Sequence, residues 1–331
     1  MSLSPINVLI TVFSLIILMI PGFILRKSKM LGEGADKVLS NVVLYVGQPF
    51  LIFMCFQKAY EAKIAVNFLI ALALGFLVHG LMILFVYLVV RNKGKDAKKD
   101  VCRFASVFSN IGYMGVPFLQ TLYVGRPELS EIIIYCAAIL VVFNVLSWTI
   151  GVVMYSHDKS TISAKKIATN PTIIGVVAGL IYFFLIKTPI ADLAAQGSTL
   201  DLLLEKIMNS ANFVAELVTP LSMFVIGMKL AETTVKDIFT EKWVYISSAY
   251  KLLVMPLICI ACVLFLPIDN NIKYALFFAV AMPSAASSAL MAVRYKGDGK
   301  TASAVVLFST VLSIVTISLL YMLLNFLLSI V

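Results

Sequence analysis

One run of nine residues, SNIGYMGVP at positions 109–117, is the most informative part of this chain. It lies inside an apolar stretch long enough to cross a bilayer. Gly112, Gly115 and Pro117 make a continuous helix costly there, at about 1 kcal/mol for each glycine and about 3 kcal/mol for the proline. A backbone broken at membrane depth survives only where protein or a water-filled cavity satisfies its polar groups. The run therefore predicts a spanning helix that is broken at a buried site.

The composition of the whole chain agrees with a membrane location. Of 331 residues, 61% are hydrophobic and only 13% are charged, against about 25% charged in soluble proteins, and the mean hydropathy is +1.01. So few charges exclude a soluble, disordered, coiled-coil or disulfide-scaffold protein. The chain is predicted to be an all-α polytopic membrane protein. Its net charge of +9 reflects basic cytoplasmic loops rather than a nucleic-acid partner.

Ten apolar segments are predicted to span the membrane, and they are numbered here in chain order. They cover 6–25, 38–57, 66–90, 104–124, 131–155, 171–186, 208–228, 243–266, 274–293 and 303–328. The region 190–206 is polar enough for a loop or an interfacial helix.

The basic residues predict the orientation. Loops after odd-numbered segments hold nineteen of the 26 Lys and Arg, the opposite loops hold six, and Lys251 lies within segment eight. Because cytoplasmic loops carry the excess of Lys and Arg, both termini are predicted to lie outside the plasma membrane. Segment one has no Lys or Arg before it, so a retained helix is favoured over a signal peptide.

The two halves of the chain repeat a pattern. Asn41 and Pro49 are matched 171 residues later by Asn212 and Pro220, and Pro117 is matched 166 residues later by Pro283. Each half holds five segments, and an odd number means that the halves enter the membrane from opposite sides. The chain is therefore predicted to be a 5+5 inverted repeat, with halves 1–157 and 158–331, as in many secondary transporters.

Segment nine contains the second predicted break, in AMPSAASS at 281–288. A proline suits the first turn of a new half-helix, and each half-helix then points its free N–H groups and positive end toward the midplane. Ser284 and Ser287, three residues apart, share one face of that helix. Two such helix ends facing each other predict a site for an anion.

The run NIGYMGVP at 110–117 resembles the fourth helix of the auxin efflux carrier family, and YKLLVMP at 250–256 and AMP at 281–283 resemble its eighth and ninth helices. The resemblance covers nearly the whole chain. It implies an elevator-type carrier in which segments four and nine cross, with a fold shared with bile acid–sodium symporters. It further implies a scaffold of segments one, two, six and seven, transport segments three to five and eight to ten, and a homodimer.

The resemblance also implies organic-anion substrates. The chain lacks the long cytoplasmic loop of the long plant carriers and so resembles bacterial members, for which mono- or dicarboxylates such as malate or malonate are expected rather than auxin. The predicted substrate-binding residues are Asn110, Ile111, Gly112, Tyr113, Gly115, Pro117, Asn144, Lys251, Pro283, Ser284 and Ser287.

Ionisable and amide side chains inside spanning segments are functional candidates by default. Lys251 either faces a bound carboxylate or bonds to carbonyls freed in a broken helix. Glu216 either carries a coupled proton or makes a neutral, hydrogen-bonded contact between helices. For His79, a packing role is favoured. Asn41 either takes part in coupling or ties helices together. Coupling to protons or to sodium stays open, and no cofactor or metal is predicted.

Other classes of function are disfavoured. No His-Glu-x-x-His or Gly-x-Ser-x-Gly motif is present and the chain has only two histidines, so an enzyme is not predicted. The absence of a Walker A sequence disfavours ATP-driven transport. A symporter of another amphipathic organic anion, a carrier-like membrane sensor and a channel remain as alternatives to a carrier of small organic anions.

Overall fold

The structure is a computed structural model that describes residues 4–91, 94, 96–232, 238 and 240–331. Within these residues the chain is helical, and its only β-type pairing is an isolated bridge between Ser109 and Ser284. Thirteen helices are numbered here in chain order: α1 Pro5–Lys27, α2 Ala35–Cys55, α3 Ala62–Val89, α4 Ala97–Val107, α5 111–122, α6 Leu129–Ser156, α7 Pro171–Leu185, α8 Thr199–Glu216, α9 Val218–Glu232, α10 Lys242–Val263, α11 Asn270–Ala281, α12 Ser287–Arg294 and α13 Gly299–Ile330.

Eight helical stretches in the described part of the chain are long and apolar enough to cross a membrane, with α8 and α9 counted as one. The prediction of a polytopic all-α membrane protein is therefore confirmed. The predicted segments four and nine are each divided into two shorter helices, α4 with α5 and α11 with α12.

Side-chain caps set several helix starts. Ser4 precedes Pro5 and accepts from the N–H of Ile6, and Asn170 precedes Pro171 and caps the first turn of α7. Such caps satisfy N–H groups that have no partner within the helix. Ser198 caps α8 in the same way, so this helix begins nine residues before the expected start at 208. The region 190–206, predicted to be a loop or an interfacial helix, therefore contains the first two turns of α8.

Three of the prolines inside the spans follow wide helical turns. The π-helical turns Val43–Gly47, Ile111–Gly115 and Tyr250–Val254 each end two residues before a proline. Proline lacks an N–H, and its ring clashes with the carbonyl four residues earlier. A π turn relieves that clash without leaving the helix, which keeps the backbone hydrogen-bonded within the membrane.

Glycines bring four helices into close contact. A Cβ on Gly227 of α9 would lie 2.0 Å from the carbonyl oxygen of Met19 in α1, and one on Gly175 of α7 would lie 2.8 Å from the Cα of Pro49 in α2. Segment one thus packs on segment seven, and segment six packs on segment two. On the other side of the molecule, α3 packs on α6, α10 packs on α13, and α6 packs on α11.

Candidate functional site

The two broken segments meet at their breaks. The N–H of Asn110 donates to the carbonyl of Pro283 over 2.8 Å, and the N–H of Ala285 donates to the carbonyl of Phe108 over 2.9 Å. This exchange satisfies four backbone groups that the breaks would otherwise leave unpaired in a buried region. Segments four and nine therefore cross in direct contact.

The serine hydroxyls at the crossing hold it together. Ser284 Oγ donates to the carbonyl of Ala105 over 2.8 Å, and Ser309 Oγ of α13 accepts from the Ser284 N–H over 3.1 Å. Ser109 Oγ lies 3.3 Å from the carbonyl of Val280. Ser287, at the start of α12, is only partly buried. Of the two predicted serines, Ser284 thus has its hydroxyl bonded within the protein in this conformation, whereas the side chain of Ser287 is partly accessible.

Lys251 is fully buried behind the crossing. Its Nζ donates to Ser109 Oγ over 2.5 Å and lies 3.5 Å from the carbonyl of Val107, the last residue of α4. These acceptors belong to the broken end of segment four. Of the two interpretations of Lys251, the geometry matches the one in which it bonds to groups freed by the break.

Asn110 differs from the other amides of the site. Only 3% of its surface is exposed, and its Nδ2 has no hydrogen-bond partner among the described residues. Asn144, by contrast, donates to the carbonyl of Leu140 over 2.8 Å and accepts from Asn170 over 2.9 Å. Asn144 therefore ties α6 to the start of α7, and Asn110 has a buried donor available at the crossing.

The glycines of segment four permit close approach. A Cβ on Gly112 would lie 2.8 Å from Nε2 of Gln48, and one on Gly115 would lie 3.2 Å from Cγ of Met282. The break itself, at 108–110, precedes both glycines, and Pro117 is the second residue of the α-helical part of α5. Ile111 is buried and Tyr113 is partly buried beside the break.

Gln48 is a contact of the site that the list of predicted residues missed. Its Nε2 donates to the carbonyl of Gly112 over 2.8 Å, and its Oε1 accepts from Thr172 Oγ1 over 3.0 Å. The available signal was an amide directly before Pro49 within an apolar segment.

The remaining candidates do not contact the broken backbone. His79 is buried, and its Nδ1 lies 2.9 Å from the carbonyl of Gly75 in the preceding turn, as a packing residue would. Glu216 and Asn41 are exposed on the surface of the chain. The three residues proposed for coupling or helix contacts are therefore not assembled into one cluster with the crossing.

A crevice leads to the crossing from the end of the molecule where α9 finishes. It holds about 250 Å³ and lies between α9, α12 and α13. Its wall is mainly apolar, with Ile226, Leu230, Ala289 and Leu307, and it reaches Ala286 next to the break. Lys229 and Glu232 line it as well.

Ion pairs join neighbouring segments at the opposite end. Lys58, after α2, lies 3.6 Å from Glu131 of α6, and Lys63 lies 2.7 Å from Asp269, in the loop before α11. Burial by itself raises the pKa of Asp269, but the hydrogen bond from Lys63, the N–H of Asn271 and the Lys63 charge together hold this pKa below its usual value.

Comparison with known proteins agrees with a membrane carrier. The family described as "Membrane transport protein" matches residues 7–321. An uncharacterized transporter of Methanocaldococcus jannaschii is 25% identical over 93% of this chain and 96% of its own length. A Rhizobium meliloti protein named "Putative malonate transporter" is 24% identical over 86% of both chains.

These matches indicate transport rather than catalysis, and they confirm the resemblance to auxin efflux carriers. With nearly its whole length matched, the chain belongs to the membrane transport protein family that includes the auxin efflux carriers.

Proposed function

We propose that the protein is a secondary carrier of small organic anions that works by elevator-type alternating access. The observation that carries the proposal is the buried Asn110, whose Nδ2 has no partner among the described residues at the point where two broken helices cross. A buried donor without an acceptor costs about 1–3 kcal/mol. A bound carboxylate supplies that acceptor.

The backbone adds further donors for an anion. The N–H groups of residues 111–113, at the start of α5, and of Ser287, at the start of α12, lie where a helix has no internal acceptor for them; the next N–H groups, of Met114 and Ser288, already donate to the carbonyls of Asn110 and Ala285. Helix N-termini also carry a partial positive charge. Two N-termini and one amide make a site that binds a carboxylate through neutral groups, which fits alternating access because the ligand must also leave.

A 5+5 inverted repeat, with ten spans and halves 1–157 and 158–331, is the architecture we propose. The pairing of helices supports it. In such a repeat, segments one and two correspond to segments six and seven, so a contact between segments one and seven implies a matching contact between segments six and two. Both contacts are present. We assign segments one, two, six and seven to the scaffold and the other six to the moving part. We further propose a homodimer in the plasma membrane with both termini outside.

The substrate class follows from the site and from one relative. The Rhizobium protein is named for malonate, so a short dicarboxylate is the first candidate, followed by malate and by monocarboxylates with a larger apolar body. Thermal-shift measurements on purified protein with this panel, with and without sodium and across pH, identify both the ligand and the coupling ion.

Uptake into proteoliposomes tests the site. Asn110→Ala is expected to abolish uptake of the anion that stabilises the wild-type protein. The control is Ser318→Ala, because the partner of Ser318 among the described residues is the carbonyl of Ile314, within α13. Wild-type uptake in a folded Asn110→Ala protein would show that the crossing is not the substrate site.

A further inference from the structure

Two polar residues that directly precede prolines occupy matching positions in the two scaffold helices α2 and α9. Gln48 precedes Pro49 in α2, and Thr219 precedes Pro220 in α9, 171 residues later. A Cβ added to the neighbouring Gly47 would lie 2.7 Å from Cγ2 of Val218. Gly47 and Val218, the residues directly before this pair, are therefore in contact where the predicted repeats meet.

Gln48 joins both parts of the proposed carrier through one buried amide. Only 2% of its surface is exposed. Its Oε1 accepts from Thr172 in segment six, and its Nε2 donates to the carbonyl of Gly112, two residues after Asn110. The bond to Thr172 stays within the scaffold, whereas the bond to Gly112 crosses to segment four.

Thr219 makes a second link to the same helix. Its Oγ1 donates to Oε1 of Gln120 over 2.9 Å. Gln120 lies eight residues beyond Gly112, which is about 12 Å along α5. The scaffold thus holds α5 at two separate points, one beside the break and one about two turns away.

We propose that Gln48 and Thr219 are positioning residues, which hold α5 and the attached Asn110 in the conformation with the open crevice. This inference rests on the proposed carrier function. A hydrogen bond is lost once its atoms separate by more than about 3.5 Å, so both links break when α5 moves along the scaffold. Each link then favours the present conformation by about threefold to tenfold.

Cysteine labelling of the purified protein, without substrate, tests the proposal. One reporter is Cys136, which is fully buried in α6 at a position where α6 packs on α2, with the other four cysteines replaced by alanine. The second reporter is Ala289→Cys, in the crevice wall, with all native cysteines replaced.

Gln48→Met and Thr219→Val are each expected to raise the labelling rate of Cys136 by threefold to tenfold and to lower that of Ala289→Cys. The matched control is Thr121→Val, because in the described part of the chain Thr121 Oγ1 donates to the carbonyl of Pro117, which lies in the same helix. It is expected to leave both rates unchanged.

Unchanged rates, or rates that rise at both reporters as simple destabilisation would cause, overturn the proposal. If Gln48→Met does not fold, Gly112→Ala separates the same contact from the other side, because its Cβ meets Nε2 of Gln48, and the same pair of changes is expected. Since labelling needs no substrate, its failure leaves the Asn110→Ala uptake test standing, and failure of uptake leaves the labelling result standing.

Discussion

Replacing Lys251 by methionine separates its structural contribution from its electrostatic one. The Lys251 Nζ has two acceptors, Ser109 Oγ and the carbonyl of Val107. Losing hydrogen bonds from a charged donor costs about 1.5–3 kcal/mol each. Removing a fully buried charge recovers a desolvation penalty of several kcal/mol. The two effects are opposite and similar, so we expect the free energy of unfolding of Lys251→Met to change by less than about 2 kcal/mol.

For anion binding, the loss of the Lys251 charge has no compensating gain. Ser109, which holds the Lys251 ammonium, is the residue before Asn110, so a carboxylate at Asn110 lies about 8 Å from this charge. At an effective dielectric constant of about 20, the attraction is about 2 kcal/mol. Lys251→Met is therefore expected to weaken anion binding by about tenfold to thirtyfold without any direct contact between Lys251 and the ligand.

Isothermal titration of purified protein with the anion measures this loss, and thermal unfolding measures stability. Lys273→Met is the matched control: Lys273 is also buried, but it donates to the carbonyl of Leu264, at the end of α10. The control is expected to keep wild-type affinity. Equal affinity of a folded Lys251→Met protein would refute the electrostatic reasoning, and a fall in the unfolding temperature of more than about 10 °C would refute the balance of energies.

Three further predictions concern packing, pH and topology. Gly227→Ala is expected to destabilise the protein by about 1–3 kcal/mol, because the added Cβ meets the backbone of α1. Gly80→Ala is expected to be neutral or stabilising, because its Cβ meets no described atom within 4 Å. Thermal unfolding of the two variants measures the difference. Folding lowers the pKa of Asp269. The stability that this carboxylate contributes is therefore present above its unfolded pKa of about 3.9 and is lost as the pH falls through the lower folded pKa. Between pH 6 and pH 3 the unfolding temperature of Asp269→Asn is expected to fall less than that of the wild-type protein, and an equal fall would contradict the assignment. Single cysteines at Lys98 and Arg126 are expected to be labelled from the inside and the outside respectively, and labelling of Lys98→Cys from outside would refute the orientation.

That segment four is broken was predictable, because Gly112, Gly115 and Pro117 each disfavour a continuous helix. The position of the break was not predictable in the same way, because it lies at 108–110 and all three of those residues are helical in α5. The membrane character of the chain was also predictable, since hydropathy is calculated from the residues alone, although eight described stretches rather than ten are long and apolar enough to cross a membrane. The start of α8 was placed nine residues late because Ser198 caps the helix through a hydrogen bond, which a count of apolar residues does not detect.

The partners of the polar side chains were decided only by tertiary structure. Lys251 and Ser109 are 142 residues apart, and Gln48 and Gly112 are 64 apart, so neither contact leaves a trace in local spacing. Ser284, Asn144 and Asn110 are all polar donors in apolar segments of the sequence. Packing gives Ser284 and Asn144 acceptors within the protein and leaves the Nδ2 of Asn110 without one among the described residues. A sequence shows which groups need a hydrogen bond at membrane depth, and the packing of distant helices determines which of them find a partner within the described part of the protein.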